Sequence, residues 1–76
     1  MFSGAKAFAQ PVTDQQLAAY YFQEEDFQKA ALYYEKLYNS SYSDFYYNYY
    51  LQCLFRSEEF KTARKLVKNQ LTINPN

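Results

Sequence analysis

Apolar positions recur along this chain at intervals of three and four, interrupted by short polar clusters. Leu17, Ala18 and Tyr21 mark a first stripe, and after Glu24-Glu25-Asp26 a second runs through Phe27, Ala30, Ala31, Tyr34, Leu37 and Tyr38. Spacing of this kind gathers side chains on one face of a helix. It predicts helices over about 14–23 and 27–38. The stretch "NSSYS" then reads as a polar loop, with Ser41 and Ser43 as candidate caps for a third helix. The next segment, "DFYYNYYLQCLFR", places Tyr47, Tyr50, Leu51 and Leu54 on one side and Phe45, Tyr46, Tyr49 and Cys53 on another. A helix apolar nearly all round is contacted from several sides. A fourth helix, from about Glu59 to Ile73, carries Phe60, Ala63, Val67 and Leu71 on one stripe and Leu66 with Ile73 on a second, with Lys61, Arg64, Lys65 and Lys68 opposite.

Local signals agree with these starts and stops. Thr13-Asp-Gln-Gln16 is a capping box, flanked by Val12 and Leu17 at the staple positions, so the first helix begins near Asp14. Pro75 prevents the last helix from continuing. Glu25 and Lys29 stand in the favourable i, i+4 order of an exposed pair. The four helices fall into two pairs, about 14–38 and 44–73. "EEDFQKAALYY" in the first and "EEFKTARKLVK" in the second are echoes 33 residues apart when Phe27 is set on Phe60.

A helix pair repeated at this period resembles the tetratricopeptide repeat, whose pattern is a large aromatic, two residues, Leu-Gly, two residues, Tyr, then Ala-x-x-x-Phe and Pro. The second pair reads Tyr47-x-x-Tyr50-Leu51-x-x-Leu54, Ala63-x-x-x-Val67 and Pro75. The first reads Asp14-x-x-Leu17-Ala18-x-x-Tyr21 and Ala30-x-x-x-Tyr34, with Tyr42 in place of Pro. The resemblance covers residues 11–76. It departs from the family at Leu51, Leu37 and Gln70, where small residues are usual, and at Glu25 and Glu58, where the turn favours Gly. It implies an all-α fold of two antiparallel helix-turn-helix pairs stacked as a short α-solenoid, with Ala18 and Ala30 allowing close helix approach.

The same resemblance implies a protein–protein interaction module in which the first helix of each pair lines a groove for an extended peptide or a partner helix. By position the groove residues are Gln15, Ala19, Phe22 and Gln23 from one pair and Phe45, Asn48, Gln52, Phe55 and Arg56 from the next. Asn48 and Gln52 suit a peptide backbone, Phe22 and Phe55 apolar side chains, and Arg56 a carboxylate. Family members that clamp a chaperone's terminal carboxylate use Lys and Asn where this chain has Gln15 and Ala19, so that activity is not expected. Leu66 and Ile73 are the expected stacking surface toward a further pair or another copy.

Composition narrows the alternatives. Seventy-six residues make one small domain, which buries only about 60% of its unfolded surface. With 49% hydrophobic and 22% aromatic residues the chain is too apolar for a disordered tail. No window approaches a membrane span. A lone Cys53 and no His leave no internal disulfide and no four-ligand metal cluster, and no phosphate loop or nucleophile–base pairing is present, so neither an enzyme nor a cofactor is expected.

Formal charge is zero, but residues 1–43 carry three lysines against five carboxylates and residues 44–76 carry five cations against three, giving −2 and +2. That zero net charge argues against nucleic acid despite the basic fourth helix. Two further functions stand beside the groove: a self-associating structural bundle, and more weakly a sugar- or nucleic-acid-binding surface of Tyr and Lys. Residues 1–10 read either as a signal-peptide remnant ending at Ala7-Phe8-Ala9 or as a frayed terminus. The first reading favours an exported or periplasmic location.

Overall fold

The computed structural model describes residues 12–73, which form four helices: α1 (Asp14–Gln23), α2 (Phe27–Ser41), α3 (Asp44–Arg56) and α4 (Phe60–Ile73). There is no strand among the described residues. The candidate processing site at Ala7-Phe8-Ala9 and the Pro75 stop lie outside them. Consecutive helices pack on one another, so the chain is all-α, two helix hairpins stacked side by side. None of these helices is long and apolar enough to cross a membrane.

Caps set the helix starts. The Gln16 amide N–H donates to Thr13 Oγ1 at 3.1 Å while Gln16 Oε1 accepts from the Thr13 N–H at 3.0 Å, which completes the capping box. Ser43 Oγ accepts from the N–H groups of Phe45 and Tyr46 and starts α3. Ser41 does not cap it. Helix α2 runs on through Asn39-Ser40-Ser41 because both serine hydroxyls donate to the Leu37 carbonyl, occupying an acceptor the helix end leaves open. It stops at Tyr42, whose φ of 54° is left-handed.

The two hairpin turns are built identically. Glu25 and Asp26 N–H donate to the carbonyls of Phe22 and Tyr21, and 33 residues later Glu58 and Glu59 donate to Phe55 and Leu54. This doubly bonded helix ending requires a left-handed residue, normally Gly, and here Glu25 (φ 63°) and Glu58 (φ 61°) fill it. Without the Cβ clash the same turn is easier. Glu25→Gly and Glu58→Gly are therefore expected to stabilise by about 0.5–1 kcal/mol each, less than the full steric relief because Gly also loses more backbone entropy. Urea melts that show both variants weaker than wild type would contradict this. Because Glu25 lies outside α2, helical i, i+4 spacing does not apply to it, and Lys29 pairs instead with the cap residue Asp26 at 3.7 Å.

The core is small residues and tyrosines. Ala18 and Ala30 are fully buried where α1 meets α2, and Tyr34, Tyr38, Tyr50 and Leu54 fill the seam between the hairpins. On α4 the inward stripe is Ala63, Leu66 and Gln70, and the Tyr38 hydroxyl donates to Gln70 Oε1 at 2.7 Å. Leu66 is thus a core residue, contrary to its expected role as stacking surface. With Ala63, Leu66 and Gln70 turned inward, Val67 and Leu71 face out. Ile73, half exposed, borders a hollow of about 340 Å³ together with Leu66, Tyr38 of α2 and Tyr42, the residue at which α2 stops.

Candidate functional site

The stacking of the hairpins leaves a cleft of about 470 Å³ where α1, the α1–α2 turn and α3 meet. Its floor is aromatic. Phe22 stands edge-on to Tyr49 at 5.1 Å, Tyr34 lies stacked on Tyr49 at 5.2 Å, and Phe22 meets Phe27 edge-on at 5.3 Å. Edge-to-face and offset arrangements of this kind hold each ring in place and leave little freedom to lose when a ligand settles. The wall is polar: Gln23, Glu25 and Arg56 surround the floor, and the Arg56 guanidinium sits 5.1 Å above the Phe27 ring. A guanidinium over a ring keeps donors directed outward, suited to a carboxylate or a peptide carbonyl.

Of the nine groove residues expected from the sequence, the cleft brings together Ala19, Phe22, Gln23 and Arg56. Phe45, largely exposed, adjoins it by packing on Tyr49 at 5.0 Å. Gln15 is committed elsewhere, its side-chain amide donating to the Tyr46 hydroxyl, a bond that ties α1 to α3. Asn48 and Gln52 are exposed on α3 without lining the cleft. Phe55 is not a cleft residue either, because it packs on Phe60 at 5.9 Å beside the far hairpin turn. Tyr34, Tyr49, Phe27 and Glu25 complete the cleft and were not anticipated there. The signal for Tyr49 was present, since it lies four residues after Phe45 and seven before Arg56 on one helical stripe.

Titratable groups nearby are placed for packing. Burial pushes the Cys53 thiol up to about 11, against a smaller opposing pull from Arg56, so it stays protonated and unreactive near neutrality. Burial likewise pushes Tyr34 and Tyr50 up to about 12. The tyrosines do not form one open platform. Tyr34 and Tyr50 are buried, and Tyr46, Tyr47 and Tyr49 are half-buried against their neighbours. Lys61, Arg64, Lys65 and Lys68 line a shallow depression along α4, away from the cleft. Compared with protein-family models, with curated proteins and with solved structures, the chain finds no match in any of the three.

Proposed function

We propose that the chain is a protein-interaction module of the tetratricopeptide type, which holds an extended peptide or a partner helix along the surface made by α1 and α3. The observation that carries this reading is the aromatic cleft between the first helices of the two hairpins, with Arg56 and Gln23 on its wall. A concave, mostly apolar floor with few convergent polar groups is what recognition of a short segment needs. Repetition of the same turn hydrogen bonds after 33 residues supports the repeat assignment from a second direction.

The test places bulk in the cleft without touching the core. Ala19 is exposed and lines the cleft, so Ala19→Arg fills it while the fold is kept. Wild-type protein immobilised at low density is expected to retain partner proteins from the source cells that Ala19→Arg and Arg56→Glu lose at least tenfold, with unchanged circular dichroism and melting. Equal retention by wild type and both variants would remove the cleft from the function. A homogeneous oligomer that retains nothing would favour the structural bundle.

A further inference from the structure

A shift of 33 residues carries Phe22, Phe27, Tyr34 and Tyr38 of the first hairpin onto Phe55, Phe60, Val67 and Leu71 of the second. Locally the two sets correspond, with Phe55 in contact with Phe60 (tilted, 5.9 Å) where Phe22 meets Phe27 (edge-on, 5.3 Å). Their surroundings differ. In the first hairpin the set is covered by α3: Tyr49 packs on Phe22 and Tyr34, Tyr47 and Tyr50 pack on Tyr38, and Tyr34 and Tyr38 are only 5% and 3% exposed. In the second hairpin Phe55, Phe60, Val67 and Leu71 are 53%, 51%, 36% and 57% exposed. The fold repeats the surface that receives a helix, and among the described residues no helix lies on it.

What fits there can be read from what fits on the first copy. Helix α3 presents Tyr46, Tyr47, Tyr49 and Tyr50 to the covered surface. A second copy of this chain stacked head to tail would present α1, where the same shift gives Thr13, Asp14, Gln16 and Leu17. Three of those four are polar, and Thr13 and Gln16 already serve the capping box. Two open faces joined by a two-fold axis perpendicular to α4 would set like charges side by side, because Arg64 lies within the face and Lys61, Lys65 and Lys68 follow along one flank. That flank instead selects a partner of opposite sign.

We propose that Phe55, Phe60, Val67 and Leu71 form the docking surface for an amphipathic helix of another protein, aromatic or aliphatic along one stripe and acidic along the border that meets Arg64 and Lys68. Burial of the apolar stripe supplies the affinity, and the acidic border supplies orientation and selectivity. The surface is separate from the α1–α3 cleft, so a protein that uses both engages two partners or two segments of one.

The probe is a fluorescein-labelled peptide that copies residues 43–57 with Cys53→Ala and with Leu51 and Leu54, on the side of Tyr50 where Glu35, the counterpart of Lys68, lies, replaced by Glu; a second peptide has Lys at those two positions. Anisotropy at low salt is expected to show the Glu peptide binding at least tenfold more tightly than the Lys peptide, with the gap narrowing as salt rises. Phe60→Ser with Leu71→Ser, both at exposed positions, should weaken binding at least tenfold. Arg64→Glu with Lys68→Glu should reverse the preference between peptides. Ala19→Arg should leave both affinities unchanged, which separates this face from the cleft. Equal affinities for the two peptides, or binding indifferent to the Phe60 and Leu71 changes, would overturn the proposal. So would a sedimentation-equilibrium dimer that dissociates in the Phe60→Ser, Leu71→Ser variant, because it assigns the face to a second copy.

Discussion

Ala30→Leu is expected to unfold much of the protein at temperatures where wild type is intact. Ala30 is fully buried on α2, which packs on α1, where Ala18 is equally buried. Added methylenes in a close-packed seam force side chains off their rotamers or push the helices apart, at about 1–3 kcal/mol. A domain of this size holds only about 3–5 kcal/mol in total, so the loss corresponds to roughly 5–20 °C in melting temperature. Ala63→Leu, at the equivalent place in the second hairpin, is expected to cost less. There Leu51 stands where the first hairpin has Ala18, and α3 approaches α4 less closely than α1 approaches α2. Ala19→Leu, on the exposed side of α1, should stay within about 0.5 kcal/mol of wild type. Three equal melting temperatures would mean that small residues are not what lets the helices approach.

How much of this was legible depended on the range of the interaction involved. The capping box at Thr13 and the turns at Glu25 and Glu58 are encoded within a few residues, and the spacing rules reach that far. The rotation of α4 is not encoded so. Leu66 and Val67 lie on opposite sides of the direction set by Ala63, and helical spacing admits either as the inward neighbour. In the fold Leu66 takes the inward place, and the Tyr38 hydroxyl, 32 residues before Gln70, bonds the Gln70 side chain on the same stripe. Burying Leu66 exposes Val67 and Leu71, so which apolar residues the surface offers depends on packing against helices distant in sequence.

The cleft divides in the same manner. Ala19, Phe22, Gln23 and Arg56 line one cleft, and helical spacing along α1 and α3 alone sets each of them on a stripe at least partly exposed. Gln15 occupies an equivalent position, yet Tyr46 of the other hairpin captures its amide, and a single-helix reading contains no Tyr46. The length of α2 failed for a different reason. Asn39, Ser40 and Ser41 look like loop residues, but serine hydroxyls that bond back to Leu37 serve the end of a helix as well as they serve a turn.

Raising the pH above 9 is expected to destabilise the protein progressively and to unfold it by about pH 12. Its core relies on side chains that ionise in alkali. Burial, with smaller contributions from neighbouring groups, pushes Tyr34 and Tyr50 from 10.0 up to about 12, and Tyr38 is raised as well. Cys53 rises from 9.0 to about 11. In each case the folded chain holds its proton at pH values where the unfolded chain has released it. Below about pH 8 these four groups are protonated in both states and add no pH dependence of their own. Between pH 9 and about 12 the unfolded state binds fewer protons, so unfolding becomes more favourable with each increment, until the folded groups ionise too. Urea midpoints measured every half unit from pH 7 should begin to fall between pH 8 and 9 and fall more steeply above that. Tyr34→Phe with Tyr50→Phe keeps the rings and removes two of the ionising hydroxyls, so its curve should fall less steeply over the same interval. A wild-type midpoint that holds level to pH 11.5, or a double variant whose slope matches wild type, would show that these hydroxyls reach water in the folded chain and that the seam between the hairpins is wetter than its packing implies.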